Sequence, residues 1–284
     1  MSDNITNKVN VILVSVGVFQ EYIIENIKQL LYFNYNIIVI TDKIYFDKLN
    51  NFKNIKLIDS NNLNTNFESN SKLDKKFRNG FWHNTSKRLF LVYECMKLYN
   101  LENCIHLEND VLLYYDFNKD NFNNKIYLTN DAENRCIPGF IYIPNYNLIT
   151  NLITNYNYSK NDMANMNIFY NNNKDICITL PIIKQNKNYA IKDNYNENYN
   201  MFKGIFDGAA IGQYLGGVDP NNIKGNTIGF INETCIVKYN NYKFEFIKNK
   251  EGYSFPYIII DDEKIPIFNL HIHSKNLKKF TIFK

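Results

Sequence analysis

Apolar and polar residues are grouped along the first third of the chain in blocks whose lengths suit strands and helices. Three apolar blocks, Val9–Val16, Asn36–Thr41 and Ile55–Ile58, predict buried strands. Between them, Phe19–Phe33 has apolar residues at helical spacing, and Asp42–Leu49 predicts a short helical piece. Because strands that alternate with helices build a parallel sheet covered by helices, the pattern predicts an α/β fold with a mostly parallel central sheet.

Two acids follow the next predicted strand. An amphipathic helix over Trp82–Tyr99 leads to the apolar run Cys104–Leu107, and three residues separate this run from a second one, Val111–Tyr114. Residues i and i+2 point to one side at a strand end, so Glu108 and Asp110 are expected to present two carboxylates together. Ligands of open parallel sheets collect at the carboxyl ends of strands, and paired carboxylates suit Mg²⁺ or Mn²⁺. The alternative is a surface turn with two solvated acids.

The second half of the chain has a less regular pattern. A stretch rich in Asn and Tyr, residues 145–200, is either an acceptor-binding insertion or a set of decorated loops. Strands are predicted at Lys125–Thr129, Cys136–Ile143, Thr227–Val237, Tyr242–Ile247, Tyr257–Ile260 and Ile265–Ser274, with helices near 145–156 and 161–170. A hairpin turn is expected at residues 261–264.

An unusual small-residue segment, FDGAAIGQYLGG, occupies residues 206–217. Asp207 suits the N-cap of a helix over Gly208–Leu215, and the glycine pair 216–217 suits its end. One interpretation is that the carboxylate of Asp207 only caps the helix. The other is that it is directed into an active site, as a general base or a contact to a donor sugar.

A histidine-rich strand end lies near the C-terminus. Strand alternation places His271 and His273 on one face, with the neighbouring Leu and Ile on the core face. Imidazole can ligate a metal, and the following Ser274 and Lys275 suit phosphate. The alternative is a structural histidine pair on a half-exposed strand.

Composition excludes several classes of protein. The 284 residues are 45% hydrophobic with a net charge of +4, which predicts a globular chain, and no basic cluster indicates nucleic-acid binding. Five scattered cysteines predict neither a disulfide framework nor a structural zinc site. Neither a G-x-G-x-x-G turn nor a P-loop is present. The polar N-terminus has no signal-peptide pattern, and no stretch reaches the roughly 18 apolar residues of a membrane helix. We therefore expect a cytoplasmic protein without an integral membrane segment.

Taken together, these motifs resemble those of GT-A-type glycosyltransferases. The matching parts are a helix carrying Arg88, the acid-x-acid motif Glu108-Asn109-Asp110, the pair Asp207-Gly208 and the terminal H-x-H-S-K segment. The block 81–112, with FDGAAIGQYLGG and NLHIHSKNL, is similar to uncharacterised glycosyltransferase-like proteins of giant viruses and bacteria. The order of the parts is similar to that of retaining family 8 enzymes. The first acid here is Glu, and the His-to-Lys spacing is shorter, so the stereochemical outcome stays open.

The resemblance implies a single domain, 1–284, in which residues 1–115 bind a nucleotide sugar and residues 116–284 supply acceptor binding and catalysis. The implied reaction moves a sugar, first of all from a UDP-sugar, to a glycan or a glycoprotein acceptor with Mn²⁺ or Mg²⁺. If the protein is viral, it would act in the host cytoplasm. The resemblance assigns donor binding to Val14, Ser15, Gly17, Tyr22, Arg88, Glu108, Asn109, Ser274 and Lys275, the metal to a set drawn from Glu108, Asp110, His271 and His273, and catalysis to Asp207. It leaves open which of the two histidines binds the metal, and whether Glu108 binds it through water or holds the ribose.

Other classes remain open from the sequence. A sugar-nucleotide pyrophosphorylase would need a Gly-rich, basic loop after the first strand, where this chain has Gly17-Val18-Phe19-Gln20. A metal-dependent hydrolase would use the same acids and histidines to cleave phosphate or ester bonds without an acceptor. A degenerate member of the fold would bind glycan or nucleotide without turnover.

Overall fold

The apolar blocks of the N-terminal third form adjacent parallel strands of one sheet. The computed structural model describes residues 7–185 and 195–284. The strands are β1 (Asn10–Ser15), β2 (Asn36–Thr41), β3 (Ile55–Asp59) and β4 (Cys104–Leu107). β2 and β4 flank β1, and all three run in the same direction. The carboxyl ends of these strands therefore meet at one edge of the sheet, as the sequence predicts.

Three further strands complete a seven-stranded sheet of order β3-β2-β1-β4-β7-β6-β8. They are β6 (Ile126–Ala132), β7 (Arg135–Ile143) and β8 (Cys177–Thr179). β7 is antiparallel to both β4 and β6, whereas β8 is parallel to β6. The central sheet is thus mostly parallel, and the predicted α/β fold class is confirmed.

Helices cover both faces of this sheet. They are α1 (Ile23–Tyr32), α2 (Phe67–Asn70), α3 (Phe81–Leu98), α4 (Tyr146–Thr154), α5 (Asp162–Asn172), α6 (Tyr199–Phe202) and α7 (Ala210–Gly216). Because side chains alternate along β1, Leu13 packs in the core that contains Ile27 of α1, and Val14 packs in the core that contains Leu89 of α3.

Two smaller sheets lie beside the central one. β9 (Lys243–Lys248), β10 (Ser254–Ile260) and β11 (Glu263–Pro266) form an antiparallel meander. The predicted hairpin turn joins β10 to β11 through Asp261 and Asp262, which both have positive φ. β5 (Val111–Leu113) pairs with β12 (Asn269–His271), and this pairing brings the histidine-rich segment to the acid pair.

Two sequence predictions about this half are wrong. The segment Thr227–Val237 forms turns, because the Asn232 side chain accepts the Thr234 N–H at 3.1 Å and so competes with strand pairing. The predicted strand Ile265–Ser274 is divided into β11 and β12, which belong to different sheets. Part of the Asn-rich stretch, residues 186–194, lies outside the described residues. In the described part of the chain, no helix has the length and apolar character to cross a membrane.

Candidate active site

The acid pair lies in a tight turn at the carboxyl edge of the sheet, between β4 and β5. The Val111 N–H closes the turn on the carbonyl of Glu108 at 3.0 Å. Buried Asn26 of α1 donates from its side chain to the carbonyl of Asn109 at 3.2 Å. Asp110 is 4% exposed. Hydrogen bonds from Val111 and Asn26 therefore fix the turn, which directs the carboxylates of Glu108 and Asp110 to the same side.

His271 completes a group of possible metal ligands. Its Nε2 lies 2.9 Å from Oε2 of Glu108 and 3.4 Å from Oδ2 of Asp110. One ligand atom from each of the three residues lies within 4.8 Å of the other two. The Nδ1 atom of His271 lies 2.7 Å from the carbonyl of Gly208, which can only accept, so Nδ1 carries a proton. This arrangement turns Nε2 toward the acids, as in many metal-bound histidines.

Two cations flank the acids. Arg88 donates from Nη2 to Glu108 and, at 3.2 Å, to Asp162, while Lys275 forms an ion pair with Asp110. Burial opposes ionisation of Glu108 and Asp110. The positive charge of Arg88 beside Glu108, and that of Lys275 beside Asp110, outweigh burial and hold both pKa values below their ordinary range. Both acids are therefore ready to bind a cation at neutral pH.

Asp162 is a site residue that the sequence analysis missed. It lies in the first turn of α5, a helix that the sequence did predict, and Asn161 caps that helix by accepting the Ala164 N–H at 3.0 Å. Burial raises the pKa of Asp162, and the nearby charge of Arg88 opposes this effect. The only local signal is the Asn-Asp pair at the helix start, which predicts a cap and gives no indication of contact with Arg88.

Asp207 lies directly behind His271. Its carboxylate accepts the backbone N–H groups of Ile211 at 3.0 Å, Gly212 at 2.8 Å and His271 at 2.9 Å. It is 2% exposed, and burial raises its pKa to about 6. Helix α7 begins two residues later than predicted, with Ala209 and not Asp207 at the N-cap position. The Asp207 carboxylate nevertheless binds first-turn N–H groups of α7 and anchors β12. The predicted catalytic role of Asp207 stays a prediction.

The remaining residues of the histidine segment lie around the acids. The His273 ring centroid is 4.4 Å from that of His271, so both lie on one face, but His273 is not part of the Glu108–Asp110–His271 group. The Nζ atom of Lys275 lies 5.7 Å from the Tyr22 ring centroid. The Ser274 hydroxyl is buried and has no hydrogen-bond partner among the described residues. The structure thus gathers these residues at one place.

The residues predicted to bind the nucleoside lie at the end of β1. The carbonyl of Val14 accepts a hydrogen bond from Asn109 at 2.7 Å, which connects this strand end to the acid turn. Ser15 is buried, whereas Gly17 is exposed with a φ of 80°. The Gly17 N–H donates to Asp42 at 2.7 Å, a contact that the sequence analysis did not predict. The loop after β1 is thus fixed next to the acids.

The donor set fits a hard divalent cation. Two carboxylates and one imidazole nitrogen are ligands that Mn²⁺ and Mg²⁺ accept. The carboxylates of Glu108, Asp110 and Asp162 carry three negative charges, and Arg88 and Lys275 carry two positive charges. Burial opposes protonation of His271, but the charges of Asp110 and Glu108 outweigh it and hold its pKa well above the ordinary value. The imidazolium therefore balances the cluster, and loss of its Nε2 proton would leave one net negative charge for a cation.

Comparisons with known proteins give low similarities. No protein-family model matches the chain, and no curated protein matches it. Among solved structures, the chain is similar to the PaToxG glycosyltransferase, with 15% identity, a TM-score of 0.35, and 59% of this chain and 70% of that chain covered. The galactosyltransferase LgtC is 11% identical with a TM-score of 0.37, and the match covers 61% of this chain and 73% of that chain. The glycosyltransferase GlyE of Streptococcus pneumoniae is 14% identical with a TM-score of 0.40, and the match covers 68% of this chain and 48% of that chain. At these TM-scores the likeness carries no functional conclusion.

Proposed function

We propose that the protein is a metal-dependent glycosyltransferase that uses a nucleotide-sugar donor. The observation that carries this proposal is the Glu108–Asp110–His271 group at the carboxyl edge of the sheet, with Arg88 and Lys275 on either side. At this place Arg88 pairs with Glu108 and Lys275 pairs with Asp110, so positive and negative groups lie side by side. Such an arrangement suits a ligand that contains both a divalent cation and a diphosphate.

Each residue has a defined task in this proposal. Glu108, Asp110 and His271 would hold Mn²⁺ or Mg²⁺, and a bound ion would supply Lewis-acid stabilisation of the diphosphate that departs. Lys275 would contact the diphosphate directly, because its ammonium group already lies against Asp110. The turn at Gly17 and the end of β1 would receive the nucleoside, with a UDP-sugar as the first donor to test.

Arg88 and Asp162 would orient the donor sugar next to the acids. Both side chains are largely buried, and their contact restricts Arg88 to one position. Asp207 is proposed to act on the reaction by holding the backbone of His271 at 2.9 Å. Its alternative role as the base for the acceptor hydroxyl would need the acceptor to reach a carboxylate that is 2% exposed.

The test is a thermal-shift panel with UDP, GDP and CMP and their sugar conjugates, each with Mn²⁺ and with EDTA. A ligand at about 100 times its Kd adds roughly 2.7 kcal/mol to the free energy of unfolding. We expect one nucleotide to raise the Tm only when Mn²⁺ is present.

Asp110→Asn and His271→Ala should each lose most of this shift, whereas Asp116→Asn, an exposed acid paired with Lys8, should keep it. If no nucleotide raises the Tm with or without Mn²⁺, the transferase proposal is wrong. If donor is cleaved at the same rate with and without a panel of acceptors, the hydrolase alternative is favoured.

A further inference from the structure

His273 has a buried nitrogen that lacks a hydrogen-bond partner. Its Nδ1 lies 3.2 Å from the side-chain amide nitrogen of Gln213 on α7. Its Nε2 is buried and has no partner among the described residues. The ring lies against that of His271, at the edge of the acid group. A buried polar atom that lacks a hydrogen-bond partner at the edge of a proposed site indicates a position for a ligand atom.

A chain of hydrogen bonds fixes which way the Gln213 amide faces. The backbone N–H of Thr234 can only donate, and it donates to Oδ1 of Asn232 at 3.1 Å. The amide nitrogen of Asn232 therefore faces Gln213 and donates to its Oε1 at 3.1 Å. Reversing either amide would place two donors against each other. The amide nitrogen of Gln213 must consequently donate to Nδ1 of His273.

The charged end of this chain is compatible with the same direction. Arg135 donates from Nη1 to the Thr234 hydroxyl at 2.6 Å, and that hydroxyl lies 2.7 Å from Oδ1 of Asn232. A guanidinium group only donates, so the Thr234 hydroxyl accepts from Arg135, and its own proton can be donated to Oδ1 of Asn232, the atom that the Thr234 N–H already identifies as oxygen. Every link from Arg135 to Gln213 therefore runs toward His273.

The two neighbouring histidines consequently differ in which ring nitrogens carry protons. Nδ1 of His271 donates to the Gly208 carbonyl, and its Nε2 lies 2.9 Å from the ionised carboxylate of Glu108, so both nitrogens carry protons without a metal, and a bound metal would take the place of the Nε2 proton. Nδ1 of His273 accepts from Gln213, so neutral His273 carries its proton on Nε2. A nitrogen that carries a proton cannot ligate a metal. The sequence leaves open which of the two histidines binds the metal, and this geometry favours His271.

We propose that His273 binds the donor through its Nε2–H, which donates to a phosphate oxygen of the diphosphate, and that Gln213 and Asn232 are positioning residues that fix this tautomer. The role rests on the proposed function. Two neighbours support an anionic ligand: the Ser274 hydroxyl lacks a partner among the described residues, and Lys275 supplies a positive charge. Three donors in consecutive residues suit an oxyanion, which only accepts hydrogen bonds.

The tautomer can be measured without any ligand. In protein labelled with ¹⁵N-histidine, with the signal assigned from its loss in His273→Gln, we expect His273 to be neutral with its proton on Nε2 at pH 7. Gln213→Glu keeps an oxygen for Asn232 but places a carboxylate oxygen opposite Nδ1, so we expect the proton to move to Nδ1 or both nitrogens to be protonated. A wild-type signal with the proton on Nδ1 would overturn the inference. The wild-type spectrum decides this even if Gln213→Glu does not fold.

Binding separates the anion role from a metal role. We expect His273→Leu to weaken binding of UDP in the presence of Mg²⁺ about 10- to 100-fold, the range for a lost hydrogen bond to a charged group. His273→Gln, whose amide N–H can replace Nε2–H, should recover most of this affinity. Mn²⁺ alone should bind both variants as it binds the wild type, whereas His271→Leu should lose it.

The outcomes distinguish this role from the proposed function. If His273→Leu weakens Mn²⁺ binding as much as His271→Leu does, His273 is a metal ligand and the inference is wrong. If UDP binds both His273 variants as it binds the wild type, the donor role is wrong while the proposed function stands. If wild-type protein binds neither UDP nor inorganic pyrophosphate with Mg²⁺, both are overturned.

Discussion

Gly212 is the position where helix α7 comes closest to the strand that carries His271. A Cβ atom at this position would lie 1.9 Å from the His271 carbonyl oxygen and 2.6 Å from its carbonyl carbon. These are backbone atoms, so no side-chain rotation can relieve the overlap. Gly212→Ala must therefore move α7 away from β12, and this movement also disturbs the amide bonds of Asp207 to both elements.

The expected cost of Gly212→Ala follows from two opposing terms. Overpacking of a close contact costs about 1–3 kcal/mol, with larger values at rigid backbone. Alanine regains about 0.5–1 kcal/mol of helix propensity relative to glycine. We expect a net loss of about 1–2 kcal/mol in the free energy of unfolding, which corresponds to roughly 2–8 °C in Tm for a chain of this size class.

Urea unfolding of the purified variant measures this loss, and Gly216→Ala is the matched control. A Cβ at Gly216 meets ring carbons of Phe280 and the Ser274 hydroxyl at 3.3 Å, and these side-chain atoms can move aside. We expect Gly216→Ala to lie within about 1 kcal/mol of the wild type. Mn²⁺ binding should weaken in Gly212→Ala, because His271 moves with its carbonyl. Equal stability of the two variants would refute the reasoning.

Three further predictions concern charged residues. Arg88→Met leaves two buried carboxylates without their cation and should lower the free energy of unfolding by about 3–5 kcal/mol, measured by urea unfolding. Arg78→Ala removes a 2.8 Å ion pair to Asp219 and should speed hydrogen exchange in residues 72–80 and 218–229, with a stability loss of about 1 kcal/mol. Burial opposes ionisation of Glu68, but the hydrogen bond from Lys87 outweighs it, and its pKa falls to about 2 from an ordinary 4.5. A carboxyl group with a lowered pKa in the folded state stabilises the fold above pH 4.5 and loses this effect as the pH falls toward 2. We therefore expect the free energy of unfolding of the wild type to exceed that of Glu68→Gln by under about 1 kcal/mol at pH 7, and the difference to vanish as the pH falls toward 2.

Each of these three predictions has a result that contradicts it. Arg88→Met with wild-type stability would mean that the two carboxylates take up protons or water at little cost. Arg78→Ala with unchanged exchange in both loops would show that the ion pair does not connect them. A wild-type advantage over Glu68→Gln that is equal at pH 7 and pH 2 would show that packing, not ionisation, distinguishes the two proteins.

Periodic features of the sequence predicted the sheet and the position of the acids. The apolar blocks of β1, β2 and β4 are long and bounded by polar residues, so their strand assignment depends little on the rest of the fold. A parallel sheet then places the residues after each strand at one edge, which locates Glu108 and Asp110 without coordinates. His271 was predicted from residue type and strand alternation alone.

Other parts of the site depend on contacts between residues that are far apart in the sequence. Asp162 meets Arg88 across 74 residues, and no local pattern marks the contact. The segment around Asn232 has the apolar content of a strand, but its side-chain hydrogen bonds favour turns. The tautomer of His273 depends on Gln213 and Asn232, whose amide orientations follow only from the folded network.

The arrangement of charge and protons gives a physical reason for metal and nucleotide to bind together. Three buried carboxylates are balanced by Arg88, Lys275 and protonated His271, so a diphosphate alone would meet a cluster with no net positive charge. A dication that replaces the Nε2 proton of His271 gives the cluster one net positive charge, and the Nε2–H proposed for His273 then faces an oxyanion that the cluster attracts. Because such coupling is reciprocal, each ligand raises the affinity of the other by the same factor. One strand end can therefore contribute to both ligands, with Nε2 of His271 for the cation once its proton is lost and the Nε2–H of His273 for the anion.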